Sequence, residues 1–136
     1  MESTLGWIQR FYGRVGPTAL PDQIVQATWN RFFDTAEPVH ALVAEHNSQL
    51  VGLTHYLFHR STTQLNPVCY LQDLFTAEGA RGLGVGRKLI LTVYEQAKAA
   101  GSPNVYWQTH QTNTTAMHLY NQVSRNSGFV VYRQPL

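Results

Sequence analysis

A single cysteine, Cys69, is all the thiol chemistry this chain has, so no internal disulfide can form and a reducing compartment is the default. Charge is scarce as well: Lys and Arg number 10, Asp and Glu 8, together 13% of the residues, with a net charge of +2. The basic residues are scattered, with no run longer than Arg87-Lys88, which argues against the basic stripe of a nucleic-acid surface. No apolar run approaches the ~20 residues of a membrane span, and the N-terminal stretch lacks a basic-then-apolar signal pattern. These absences make a soluble, cytoplasmic protein the expectation, with neither nucleic acid nor membrane as partner. What is present is globular material. Hydrophobic residues make up 43% of 136, and a chain of that length supports one core, so residues 1–136 read as a single domain.

Leu5, Trp7, Ile8, Phe11 and Tyr12 form a one-sided helical stripe that stops at Gly13, and the Gly and Pro content from Gly13 to Pro21 marks a loop. Pro21 suits the first turn of a second helix, in which Ile24, Val25, Thr28, Trp29, Phe32 and Phe33 share a face. From Val39 the period changes. "VHALVAEH" and "QLVGLTHYLFHRST" read as strands on either side of a hairpin turn at Asn47-Ser48, and Val68 to Thr76 is a third strand. Leu83, Val85, Leu89, Ile90, Val93, Tyr94 and Ala97 predict a helix from about Gly84 to Ala100, closed by Gly101. "NVYWQTH" is a strand, Thr112 or Asn113 caps a helix carrying Ala116, Leu119, Tyr120 and Val123, and "FVVYR" is a last strand. The order α-α-β-β-β-α-β-α-β predicts an α/β fold of the mixed α+β kind, a central mixed sheet with helices on both faces.

The segment "EGARGLGVGRKLI" puts Gly82, Gly84 and Gly86 at alternate positions at the mouth of a helix. The first amides of a helix have no intrahelical partner and sit at the positive end of its dipole, so bare backbone there suits a pyrophosphate. The spacing is not the G-x-G-x-x-G of a dinucleotide fingerprint, and Arg87-Lys88-Leu89 after Gly86 does not complete a P-loop. A ligand-free glycine turn with close packing is the alternative reading of the segment alone.

Arg81-Gly82-Leu83-Gly84-Val85-Gly86 resembles the signature of the GNAT superfamily of N-acetyltransferases: Arg or Gln, two residues, Gly, one residue, then Gly or Ala. "YLQDLFT" (Tyr70 to Thr76) is similar to that family's fourth strand, nearest the branch acting on polyamines, amino acids and other small amines. "NTTAMHLY" (Asn113 to Tyr120) resembles the segment ending in the tyrosine beside the coenzyme sulfur. The resemblance implies acetyl-CoA as cosubstrate and direct transfer to an amine in a ternary complex, with no metal. It assigns strand backbone at Leu74, Phe75 and Thr76 to the pantetheine arm, and Arg81, Gly82, Leu83, Gly84, Val85, Gly86 and Arg87 to the pyrophosphate. Asn113 either caps its helix or bonds the pantetheine. Domains of the family begin with a strand ahead of the two helices, and this chain begins with the helices. The expected sheet therefore lacks a first strand and leaves the Val39 strand at an edge: either a partner subunit covers it, as in a homodimer, or the chain is a shortened member of its family.

Acetyl transfer needs a neutral amine, a polarised thioester and a proton for the departing thiolate. The resemblance makes Tyr120 the acid for the thiolate and puts Gln72 where the small-amine branch has a glutamate facing the substrate amine. Glutamine cannot take a proton, so deprotonation through ordered water, with Gln72 orienting the amine, is the expectation. Strand alternation sends Asp73 to the face opposite Gln72, and backbone is its expected partner. His55 and His59 lie ~13 Å apart on a strand, too far for one metal. Cys69 reads as a buried small hydrophobe. Trp107, Thr109 and His110 end the "NVYWQTH" strand beside the expected substrate pocket. A non-catalytic acyl-CoA sensor is the alternative from another functional class.

Overall fold

Asn47 and Ser48 turn the chain through a hairpin at φ 50° and 62°, the left-handed pair that a two-residue turn between twisted strands requires. In the computed structural model, which describes residues 20–136, that turn joins β1 (Val39–His46) to β2 (Gln49–His59). β3 (Val68–Thr76) continues the antiparallel pairing, and β4 (Val105–Tyr106) adds a short parallel strand, giving a mixed sheet in the order β1-β2-β3-β4. Three helices accompany it: α1 (Asp22–Phe32), α2 (Val85–Ala99) and α3 (Thr114–Val123). A 3-10 turn at Glu78–Ala80 leads from β3 towards α2.

Alternation along β2 divides the core in two. Leu53 packs with Val25, Trp29 and Phe32 of α1, whereas Tyr56, three residues on and therefore on the other face, packs with Ile90, Val93 and Ala97 of α2. Ile90 and Val93 are fully buried, and each such side chain contributes roughly 1.5–3 kcal/mol relative to exposure. Gly52 permits the closest approach of sheet and helix, since a Cβ there would lie 2.6 Å from Val85 Cγ1 and 2.9 Å from Leu89 Cδ1. At its far end α2 is closed by Gly101 at φ 79°, where the Ser102 N–H donates to the Ala97 carbonyl at 2.9 Å.

The predicted helix over Leu5–Tyr12 and the question of a missing first strand lie outside the described residues. Three other expectations are corrected. "NVYWQTH" forms a strand only at Val105–Tyr106, because its parallel pairing with β3 covers Cys69↔Val105 and Tyr70↔Tyr106 and then ends. "FVVYR" forms no strand: Phe129, Val130 and Tyr132 are 90%, 75% and 93% exposed. β-branched and aromatic residues favour a strand only where neighbouring backbone can accept their ladder, and none of the described strands pairs with this segment. Ile24 and Phe33, expected on the apolar face of α1, are exposed, and Val25, Trp29 and Phe32 carry its packing.

Candidate active site

The site begins with one extra residue in β3. Leu71 pairs with Tyr56 and Asp73 with His55, so Gln72 has no opposite number and forms a β-bulge. The bulge reverses the alternation. Cys69 and Leu71 pack on the α2 face before it, and Phe75 packs on the α1 face after it, two residues beyond Asp73. Just ahead of the bulge β3 and β4 part, their pairing ending at Tyr70↔Tyr106. The gap is a cleft of about 530 Å³ whose walls include Gln72, Leu74, Phe75, Thr76, Arg81 and Tyr120, six of the residues singled out from the sequence. Leu71, Asp73, Glu78, Trp107 and Gln108 complete the lining.

The glycine segment stands at one end of this cleft. Gly82 and Gly84 adopt φ 87° and 75°, which L residues rarely occupy, and a Cβ on either would meet nothing within 4 Å. These glycines are therefore required by backbone conformation, with open space in front of them. The first bond of α2 closes from the Lys88 N–H to the Gly84 carbonyl at 3.0 Å, so the amides of Val85, Gly86 and Arg87 lie ahead of the helical ladder. No side chain caps this helix end. Gly86 sits against Thr76 Oγ1 and Leu119 Cδ2, 3.6 and 3.5 Å from where its Cβ would be, which brings the helix mouth onto the end of β3 and onto α3. Open amides next to the part of β3 that lies beyond its pairing with β4 fit a ligand with a pyrophosphate and an amide-bearing arm, as coenzyme A has.

Tyr120 enters the cleft from α3. Its ring meets Trp107 edge-on with centroids 5.4 Å apart, and burial raises its phenol above the usual tyrosine value, so the O–H stays protonated at neutral pH. Asn113 is the residue before α3 but makes no side-chain cap; its Nδ2 donates to Thr109 Oγ1 at 3.1 Å. Arg87 donates to Gln122 Oε1 of α3. Gly82, Leu83, Gly84, Val85, Gly86, Arg87 and Asn113 are not among the cleft-lining residues. Trp107 lines the cleft as expected beside the pocket, whereas Thr109 and His110 do not; His110 Nδ1 is instead 2.7 Å from Thr112 Oγ1.

Asp73 lines the cleft together with Gln72, and its carboxylate meets an imidazole that strand alternation does not foretell: Oδ2 lies 3.0 Å from His55 Nδ1. His55 is buried beneath Phe32 of α1, their ring centroids 5.1 Å apart. The Asp73 carbonyl accepts the Thr54 hydroxyl at 2.8 Å. Nothing in the spacing of "GLTHY" and "LQDLF" announces this pair, and no rule marks Glu78 or Gln108 either. Among the described residues no cluster of three His, Cys, Asp or Glu could hold a metal ion, and no helix is long and apolar enough to cross a membrane.

Comparison with known proteins gives the family and the fold. Residues 1–124 match the model of the acetyltransferase (GNAT) family. The chain is 35% identical over 119 residues to the D-amino-acid N-acetyltransferase HPA3 of Saccharomyces cerevisiae, covering 86% of this chain and 74% of that protein. In fold it is similar to a transcriptional regulator from Bacillus halodurans, with a TM-score of 0.85 and 19% identity over 100% of this chain and 95% of that one. It is also similar to the aminoglycoside acetyltransferase meta-AAC0020 from an uncultured soil metagenomic sample, with a TM-score of 0.80 and 20% identity over 96% and 88% of the two chains.

Proposed function

The chain belongs to the acetyltransferase (GNAT) family, and from that premise we propose that it moves an acetyl group from acetyl-CoA directly to the primary amine of a small molecule in a ternary complex. The observation that carries this reading is the parting of β3 and β4 beside the open amides of α2. Backbone at Leu74, Phe75 and Thr76 bonds the pantetheine arm as an added strand would. Amides from Arg81 to Arg87 hold the pyrophosphate, with Arg81 supplying charge at the cleft wall and Arg87 steadied against Gln122. Asn113, which makes no cap, can turn its amide towards the same arm.

At the reacting end, Gln72 on its bulge orients the amine and Tyr120 gives its proton to the departing thiolate. A phenol kept protonated by burial suits that role. An alkylamine with a pKa near ~10.4 arrives as an ammonium ion and must lose a proton before it can attack. A small amine acceptor is favoured over a docked protein because the chain lacks a strongly charged face, and the yeast relative's D-amino acid is of that class. A homodimer formed along β1, one edge of the described sheet, belongs to the same reading.

The test is thiol release from acetyl-CoA across amines, amino acids and peptides. Turnover with a subset of small amines is expected. Coenzyme binding with no thiol released on any acceptor would overturn transfer and leave a sensor of acyl-CoA.

A further inference from the structure

Resting on that reading, we infer that Asp73, positioned by His55, is the catalytic group that receives the acceptor's ammonium and takes its proton. Gln72 cannot accept a proton, and among the described residues two carboxylates line the cleft, Asp73 and Glu78. Glu78 belongs to the 3-10 turn beside Arg81, on the way to the pyrophosphate amides. Asp73 belongs to the bulged part of β3, next to Gln72, where the strands have just parted. Asp73 lines the cleft and its side chain is 26% exposed, while that of His55 is 4% exposed.

The pair is built for placement. His55 is fixed by burial and by Phe32, and its Nδ1 meets Asp73 Oδ2 at 3.0 Å; the Thr54 hydroxyl holds the Asp73 carbonyl at 2.8 Å. Both ends of Asp73 are thereby tied to β2, which aims a carboxylate at the cleft with little freedom left to lose. The sheet also separates the two proton tasks. His55 and Asp73 lie on the α1 face, whereas Tyr120 packs with the α2 cluster on the other. Among the described residues, Glu78, Arg81 and Tyr120 are titratable groups that share the cleft lining with Asp73, and Tyr70 feels its charge.

The protons balance as follows. The ammonium gives one proton to an Asp73 oxygen, and the freed nitrogen lone pair forms the C–N bond at the thioester carbonyl carbon. The C–S bond breaks, and the thiolate takes the Tyr120 proton. The second proton lost by the nitrogen returns to Tyr120 through water, and the proton held by Asp73 leaves to solvent. One proton is released per turnover, as the overall reaction requires. His55 does not touch the substrate; it holds the carboxylate in place and steadies its charge change.

The experiment measures kcat/KM for the wild type, Asp73→Asn and His55→Gln on acceptors of falling basicity, with coenzyme A affinity followed by calorimetry. For a strongly basic alkylamine, Asp73→Asn is expected to lose on the order of 100-fold or more. The loss should shrink below ~10-fold for an amine already neutral at the assay pH. His55→Gln should show a smaller loss with the same dependence on basicity, and Asp73→Glu should recover part of the activity. Coenzyme A affinity should not move. A loss of equal size on strongly and weakly basic amines, or no loss, would overturn the assignment. If Asp73→Asn does not fold, the His55→Gln series decides by the same criterion. Absence of thiol release by the wild type itself is a different outcome, which overturns the transfer reading and this inference with it.

Discussion

Trp107 and Tyr120 meet edge to face, with ring centroids 5.4 Å apart and planes at 71°, at the point where β3 and β4 separate. The indole is a wall for the tyrosine ring, so the phenol oxygen can be removed without removing the packing. Tyr120→Phe should therefore lower kcat by on the order of 10²-fold or more while changing stability by under about 1 kcal/mol. Steady-state kinetics and thermal unfolding check both halves. A variant with full turnover would end the role of Tyr120 as acid.

Burial raises the Tyr120 phenol above 10.0, so its protonated form is favoured in the folded chain. An acid with a raised value acts below that value and is lost as pH rises through it. The loss of kcat due to this group should thus fall above pH 10, and folding stability should drop over the same alkaline range. A kcat profile at saturating amine would refute the assignment if the limb removed by Tyr120→Phe lay near pH 8.

Gly84→Ala places an L residue at φ 75° with nothing within 4 Å of its Cβ, so its cost is conformational rather than steric. A loss of roughly 1–2 kcal/mol is expected, with Gly84→Asn milder because asparagine visits the left-handed region more readily. Coenzyme A affinity should fall with it, by about 10-fold, as the amides turn. Denaturant melts and coenzyme titration measure the two effects. Gly82→Ala at φ 87° should behave alike.

Cys69 is fully buried, and burial pushes its thiol up to about 11. An alkylating reagent at pH 8 should leave the folded protein unlabelled and modify one thiol per chain in denaturant. Rapid labelling of the native form would contradict the packing of β3 on α2. Because the folded value lies above the ordinary one, this thiol's contribution to stability is present at neutral pH and is lost as pH climbs from about 9 towards 11.

Gly52→Ala directs a methyl group to within 2.6 Å of Val85 Cγ1 and 2.9 Å of Leu89 Cδ1. Overpacking of this kind costs typically ~1–3 kcal/mol. Since Val85 opens α2, the strain reaches the amides at the helix mouth, and coenzyme affinity should weaken together with the melting temperature. Adding Val85→Ala should restore part of both.

Much of the architecture was legible in the residues alone, and the parts that were share a cause. Asn47-Ser48, Gly82, Gly84 and Gly101 are positions where the chain must reach a left-handed conformation, and that demand is local. The stripe through Leu89, Ile90, Val93 and Ala97 repeats with the helical period, so it identifies α2 and its buried face without knowledge of what covers it. The bulge at Gln72 and the pairing of Asp73 with His55 had no such signature. Whether one residue is extra depends on the register of the neighbouring strand, and a single bulge flips every side chain after it.

Strand extent failed for the same reason at both ends of the chain's second half. Val105 to His110 and Phe129 to Arg133 have strand-like composition, yet only Val105 and Tyr106 find a ladder, because the pairing with β3 ends at Tyr70 and no described strand runs beside the tail. By itself, then, the sequence determined the described turns, α1 to α3 and the bare backbone before α2, all products of short-range sterics and periodicity. Which residues face one another across the cleft was decided only in the tertiary structure, since side-chain partners on a sheet are set by hydrogen-bond register between strands distant in the chain.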